Sequence, residues 1–363
     1  MIKEIKIENF KSIRELTLEL KPINILIGPN GAGKSNFVDF FGLVYAINDK
    51  QLREYIANKA GASKLLYLGL KNSNHLLGSL IFQSVNKDIL ESYKFILKPN
   101  EQDGLYFAKE LTGYKNIQDS SFPSNWGWRD FEHGVGHVES NLTGENFKNA
   151  LVVYLESFRV YHFHDTSKTA PLKKTARLAD DRYLRNDGEN LAAFLFGLQI
   201  EAPLAFNRIE ATIKLVAPYF DRFDLVPNGD FIRLKWRQNN TDMYLDASDL
   251  SDGTLRFIAL CTLFLQPNLP ETIIVDEPEL GLHPYAINIL AGLMKNASEK
   301  SQIIISTQSV SLIDNFEPED IIVVNNTANE SHFKRLSSEE LDIWLAEYSL
   351  GELWNKNVLG GNP

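Results

Sequence analysis

Cysteine is almost missing from this chain: Cys261 is the only one in 363 residues. That excludes a disulfide framework or a cluster of thiolate metal ligands within one chain. Cys261 stands in Phe257-Ile258-Ala259-Leu260-Cys261, where a thiol reads as a small buried residue. Long apolar runs are missing too, and no stretch is long enough to span a bilayer. The N-terminus, Met1-Ile2-Lys3-Glu4-Ile5-Lys6-Ile7, alternates like a strand and does not resemble a secretory leader. A soluble, cytoplasmic protein is the expectation. Positive charge is in deficit, with 37 basic against 47 acidic residues and a net charge of −10. A protein coated in nucleic acid is thereby excluded, and any DNA contact is confined to one face or left to a partner. No internal repeat or low-complexity tract is visible, and no heptad run is sustained, so a long coiled-coil arm is absent.

What is present is ordinary globular composition, 44% hydrophobic and 23% charged, enough for one large domain or two small ones. Its organising stretch is Gly28-Pro29-Asn30-Gly31-Ala32-Gly33-Lys34-Ser35, the G-x-x-x-x-G-K-S phosphate loop. The apolar run Ile23–Ile27 before it reads as a buried strand, and Asn36-Phe37-Val38-Asp39-Phe40-Phe41 after it opens a helix. Glycines let successive N–H groups curl around a phosphate, and the helix N-terminus adds partial positive charge. Lys34 is expected to reach the β- and γ-phosphates of ATP. The Ser35 hydroxyl is expected to hold Mg²⁺.

Residues 2–8 and 15–27 read as strands, with Asn9–Ile13 as a turn between them. Gly61–Tyr67 reads as a basic loop, either near a ligand or simply solvated. Residues 74–112 read as a β-meander, and 113–142 as loop. In that loop Trp126 and Trp128 are either a base-stacking platform or anchors on the core. Phe147–Phe158 reads as a helix. In Val160-Tyr161-His162-Phe163-His164-Asp165, alternation puts both histidines on one strand face. With no further ligand nearby in sequence, a loop entering the nucleotide site is favoured over a dedicated metal site. Lys173, Lys174, Arg177, Arg182 and Arg185 form the best linear candidate for phosphate contacts. The competing reading is a solvated loop neutralised by Asp180, Asp181 and Asp187. Residues 189–220 read as helical, and Phe231–Trp236 as one strand.

Leu250-Ser251-Asp252-Gly253-Thr254 precedes an apolar helix, Leu255–Leu265. Ser251 and Gly253 are of the types that bind a phosphate at a helix N-terminus. Thr272-Ile273-Ile274-Val275-Asp276-Glu277-Pro278 is an apolar strand ending in two acids. Asp276 suits a magnesium site, and Glu277 suits a base that polarises water. Glu279–Pro284 opens another helix, and Gln302–Thr307 is a further buried strand ending near Gln308 and Ser309.

In this order the motifs resemble the ABC-type ATPase heads. The match is to the RecF/SMC-like and overcoming-lysogenization-defect-like group, often called AAA family ATPases. The opening Ile5–Ile13 and the terminal Tyr348-Ser349-Leu350-Gly351-Glu352-Leu353-Trp354 are similar to that group too. The resemblance implies an α/β P-loop NTPase fold with a mixed or antiparallel β lobe and a helical insertion. It implies a single head over 1–363. Residues 1–160 would carry the phosphate loop and the meander. Residues 161–247 would carry the basic loop, the helical insertion and returning strands. Residues 248–363 would carry the signature, the acidic strand and the switch strand.

It further implies that Gly28 to Asn36 bind ATP and that Ser35 and Asp276 hold Mg²⁺. Glu277 would be the catalytic base, and Ser251 and Gly253 would cap ATP from the opposite subunit of a head-to-tail dimer. Gln308 takes the switch position, where this group usually has histidine, so hydrolysis is expected to be slow. No clear glutamine-bearing loop is found, and Tyr161–Asp165 occupies its position. The chain has no room for a C-terminal TOPRIM nuclease, so an effector in another polypeptide is expected. Two functions are thus carried forward. One is an ATP-hydrolysing dimer that regulates a DNA-directed process, repair or anti-phage defence, with a partner protein. The other is an ATP-binding scaffold with little hydrolysis and no direct DNA contact.

Overall fold

In β1 (Ile2–Phe10), Ile2, Ile5, Ile7 and Phe10 are fully buried; Ile5 and Ile7 share a face by alternation, and a register shift between Ile2 and Glu4 breaks the period there. The computed structural model describes residues 1–84, 88–118, 128–142, 154–155, 158–241 and 243–361. The chain divides into two units. The first comprises Met1–Arg159, Pro318–Tyr348 and Glu352–Pro363, and the second Val160–Glu317 with Ser349–Gly351. The first unit is discontinuous because the chain returns after residue 317 to pair with an N-terminal strand.

In the first unit, β1 is flanked by β2 (Ile13–Glu19) on one side. On the other run β4 (Leu76–Gln83), β5 (Ile89–Pro99), β6 (Leu105–Asn116) and β7 (Arg129–Glu132), every pairing antiparallel. β3 (Ile23–Ile27) is buried at all five positions and leads through the glycine loop into α1 (Lys34–Asn48). Phe37, Phe40 and Phe41 recur at helical spacing on α1 and are fully buried. Their rings meet those of Phe333, Phe10 and Phe158, with centroids 5.6, 5.6 and 5.8 Å away. Edge and tilted contacts of this kind add about 0.5–1.5 kcal/mol each beyond area burial. The start of α1 is thus anchored by its own aromatic face.

After α2 (Leu52–Asn58) comes α3 (Ala62–Leu65), where a loop was expected. The Asp103 carboxylate accepts from Ser63 N at 2.8 Å and from its hydroxyl at 2.9 Å, supplying a cap from a distant turn. The region read as loop from 113 also carries the end of β6 and all of β7. Ladder partners at Leu111–Tyr114 make Arg129–Glu132 a strand despite four exposed side chains. Trp126 and most of the expected helix 147–158 lie outside the described residues. Trp128 has the Lys94 ammonium 5.1 Å from its ring.

β8 (Phe158–Tyr161) leads into the second unit. There β9 (Ala176–Arg177), α4 (Leu191–Glu201), α5 (Pro203–Val216) and β10 (Phe220–Phe223) follow. Pro203 at the first turn of α5 divides what reads as one helical stretch into two. The run 231–236 is likewise two strands. β11 (Phe231–Ile232) pairs with β9, whereas β12 (Lys235–Gln238) pairs with β10 and with β13 (Tyr244–Asp246). Next are α6 (Asp252–Leu265), β14 (Thr272–Asp276), α7 (Pro284–Ser298) and β15 (Gln302–Thr307). β14 and β15 run parallel, and their register sets Asp276 opposite Ser306. α6 is apolar nearly all round and buried from Thr254 to Phe264. Burial pushes the Cys261 thiol well above its ordinary pKa, as expected of a packing residue.

The chain then re-enters the first unit as β16 (Ile321–Thr327) and β17 (Glu330–Arg335), an antiparallel hairpin. β16 lies parallel to β3. Among the described residues, no helix is long and apolar enough to cross a membrane.

Candidate functional site

The phosphate-loop motif is built entirely within the first unit. Gly33 adopts φ +114° and ends the loop as the N-cap residue of α1. A helix N-terminus carries partial positive charge and N–H groups of the kind that suit an anion. Two glycines are required by their surroundings. A Cβ on Gly28 would sit 2.1 Å from the Val324 carbonyl oxygen, and one on Gly33 2.1 Å from Ser331 Oγ. The loop is fastened to β17 by a hydroxyl chain. Ser331 Oγ donates to Ala32 O at 2.6 Å and lies 2.7 Å from Ser12 Oγ, which accepts from Asn36 Nδ2 at 2.7 Å. The buried Lys34 ammonium donates to the carbonyls of Gly28 and Pro29 at 2.6 and 3.1 Å, which places it inside the loop. Asn30, Gly31 and Ser35 are exposed. Backbone donors, a cation and an exposed hydroxyl are the donor set that suits a nucleotide triphosphate with its magnesium.

One turn along α1, Asp39 binds two ammonium groups, from Lys11 and from Lys59 at 2.8 Å. Burial acts to raise its pKa, but the hydrogen bonds from Lys11 and Lys59 outweigh this and hold the carboxyl below its usual value.

The acidic motif lies in the second unit, at the C-terminal ends of β14 and β15. Asp276 accepts from the Ser306 hydroxyl. Glu277 adopts φ +41°, a left-handed conformation uncommon outside glycine. Its N–H donates to Ser306 O at 2.8 Å, and its Oε1 accepts from Gln308 Nε2 at 2.5 Å. Asp276, Glu277 and Gln308 are thus brought together as expected. Gln308 faces the carboxylate of Glu277, a partner its sequence context did not announce. Glu279 is buried. Its Oε1 accepts from Thr307 Oγ1 at 2.5 Å and from Gln308 N at 3.2 Å, and burial raises its pKa.

Ser251 is the N-cap of α6, its Oγ accepting from Thr254 N at 3.2 Å. Gly253 abuts the following loop, since a Cβ there would meet Gly281 O at 2.4 Å. Arg256 is the one cation of this apolar helix. It is 4% exposed and donates from Nε to Phe163 O at 2.9 Å and from Nη2 to His164 O at 3.0 Å. It ties the 162–165 segment to the helix that carries Ser251 and Gly253. Its solitary charge in Leu255–Leu265 was the available signal. Ser12 and Ser331 gave none.

Tyr161 and Phe163 are buried, and His162 and His164 share the opposite side, as alternation predicts. Where sequence offered no third ligand, the structure supplies Asp276. The ligand atoms of His162, His164 and Asp276 all lie within 4.8 Å of one another. Of the five basic candidates, three meet acids. Lys173 Nζ lies 3.7 Å from Asp252 and Lys174 Nζ 3.9 Å from Glu189. Arg185 is 2.7 Å from Asp180 and 3.0 Å from Glu189. Arg177 and Arg182 are exposed.

Comparison with known proteins agrees with the fold. An Smc head structure, solved bound to the C-winged helix domain of ScpA, superposes with a TM-score of 0.61 at 17% identity. The match covers 94% of this chain and 99% of that one. An Smc head with an extended coiled coil, bound to the C-terminal domain of ScpA derived from Pyrococcus furiosus, gives 0.58 at 16% identity, covering 95% and 98%. The architecture is that of an ABC-type P-loop ATPase head.

Among curated proteins the chain is similar to the Old nuclease of Escherichia phage P2, 22% identical over 93% of this chain. It spans 61% of that relative's length. It is also similar to the Septu protein PtuA of Bacillus thuringiensis, 20% identical over 86% of this chain and 73% of the relative. The family model described as "AAA domain, putative AbiEii toxin, Type IV TA system" matches residues 23–314, four-fifths of the chain, and the protein belongs to that family.

Proposed function

We propose that this protein is an ATPase that binds ATP with Mg²⁺, hydrolyses it slowly, and closes as a head-to-tail dimer while ATP is bound. The observation that carries the reading is the glycine loop at the N-terminus of α1, folded around the Lys34 ammonium. Gly28 to Asn36 bind the triphosphate, and Lys34 offsets its charge. Ser35 and Asp276 hold the magnesium, which when bound neutralises charge developing on the phosphates. Glu277 polarises the attacking water. Its hydrogen bond from Gln308 supports slow turnover, because an uncharged amide holds the carboxylate and has no proton of its own to give up. Ser251 and Gly253 cap ATP held by the second chain, an arrangement that a twofold axis repeats.

A DNA-directed role with a partner protein, in repair or anti-phage defence, is supported by similarity to a protein named as a nuclease and to a Septu protein. The effector activity is assigned to that partner. The test is Glu277→Gln, which keeps shape and loses the base. Light scattering with Mg-ATP should give a dimer and with ADP a monomer. Equal masses in both nucleotides would remove the ATP-gated dimer. Lys34→Ala should weaken ATP binding about 10-fold or more, a loss of at least ~1.4 kcal/mol by calorimetry. Unchanged affinity would show the loop to be misassigned.

A further inference from the structure

We propose that His162, His164 and Asp276 form a site for a divalent transition-metal ion of the manganese-to-zinc series, rather than for magnesium alone. The inference deepens the reading above, because both use Asp276.

Tyr161 and Phe163 are 2% and 3% exposed, so their burial fixes the strand end and turns the two alternate residues the same way. Both flanks are then locked. His162 N donates to Asn186 O at 2.9 Å, and Arg256 holds the carbonyls of Phe163 and His164. The third donor is equally fixed, because the Ser306 hydroxyl on β15 donates to Asp276. A ligand set with supported donors is a feature of metal sites, where outer partners set orientation.

The donor chemistry then selects the ion. Two imidazole nitrogens and one carboxylate oxygen suit manganese, iron, cobalt and zinc. Magnesium prefers oxygen ligands and retains water. Metal–nitrogen bonds of about 2.1 Å place donor atoms roughly 3–3.5 Å apart. The present separations, up to 4.8 Å, close to that by turning the imidazole rings, whose terminal torsions are broad. His162 is exposed, which gives an ion a route of entry. Three protein ligands leave positions open for water or for phosphate oxygen. The site would thus let a transition ion share the carboxylate otherwise assigned to magnesium and would make the protein's nucleotide chemistry responsive to metal supply.

The probe is Co²⁺, titrated into untagged protein without nucleotide and followed by its visible d–d absorption. One equivalent should bind, and Zn²⁺ should displace it while an equal amount of Mg²⁺ should not. His162→Ala and His164→Ala should each lower Co²⁺ affinity by at least ~10-fold, with circular dichroism showing an intact fold. Should either alanine variant misfold, His164→Gln, which keeps the volume and loses the imidazole, serves in its place. Lys34→Ala should leave Co²⁺ binding unchanged. The absence of a cobalt band in the native protein, displacement by equimolar Mg²⁺, or undiminished affinity in a folded histidine variant would each overturn the site. ATP binding without cobalt binding would remove this site and leave the ATPase reading standing. Cobalt binding without ATP binding would do the reverse.

Discussion

Replacing Arg256 by methionine tests whether a buried charge in α6 is structural. Arg256 as a residue is 4% exposed, and burial lowers its pKa, so the charge is held at a desolvation cost. In return it makes two charge-assisted hydrogen bonds, to Phe163 O and His164 O. At about 1.5–3 kcal/mol each, these bonds give a gross contribution of about 3–6 kcal/mol. Methionine removes the desolvation cost and keeps the apolar stem packed, which returns part of that. The two carbonyls, however, remain without their donor. Removing one side of a buried polar contact is the costly case, whereas replacing both sides can be neutral.

A net loss of about 2–4 kcal/mol follows. At about 2–4 °C per kcal/mol for a domain of 150–250 residues, the melting temperature should fall by about 4–16 °C. Differential scanning calorimetry reads this directly. Arg256→Lys should fall between native and Arg256→Met, because a point ammonium does not reproduce a fork that reaches two carbonyls. A melting temperature for Arg256→Met within ~1 °C of native would refute the reasoning. It would mean that the charge costs as much to bury as its hydrogen bonds contribute.

Three other outcomes are expected. Gly33→Ala should destabilise the protein by about 1–3 kcal/mol from its φ of +114° alone and should abolish nucleotide binding by calorimetry. Adding Ser331→Ala should not rescue it, since the Cβ at position 331 would still lie 2.8 Å from the new methyl. Asp39 has a carboxyl held below the unfolded value of about 3.9, so its contribution is full above that pH and fades as the pH falls through the folded value. Asp39→Asn should therefore lower stability at neutral pH and flatten the acid limb of a denaturation series, and parallel limbs would contradict this. If DNA is bound through the basic segment, Arg177→Glu and Arg182→Glu should weaken it most, with a shallower salt dependence in fluorescence anisotropy. No effect would move the contact elsewhere.

Legibility in the sequence followed the range of the interactions. Gly28–Ser35 was readable because a loop of this kind is specified by adjacent residues, and Ile23–Ile27 by an unbroken apolar run. Asp276 and Glu277 were readable for the same reason. Arg129–Glu132 was not, because its side chains are exposed and only ladder partners on β6 make it a strand. The division of Phe231–Trp236 was hidden because the two halves pair with different strands. Alternation placed His162 and His164 on one side correctly. Their approach to Asp276 was invisible, since it depends on how β14 folds back toward a distant segment. Gln308 was correctly placed at the end of β15, but its bond to Glu277 required the register of two strands.

The hydroxyl of Ser331 on Ala32 O joins positions 299 residues apart in the chain. During synthesis, the glycine loop emerges long before the serine that fastens it. At about 5–20 residues per second, the interval is about 15–60 s. Throughout that time the loop lacks the hydroxyl that fastens it. On the proposed reading, nucleotide affinity would therefore be acquired late, as a property of a nearly finished polypeptide. Of the rings that meet the aromatic face of α1, Phe10 and Phe158 are made early, and only Phe333 arrives with the late hairpin.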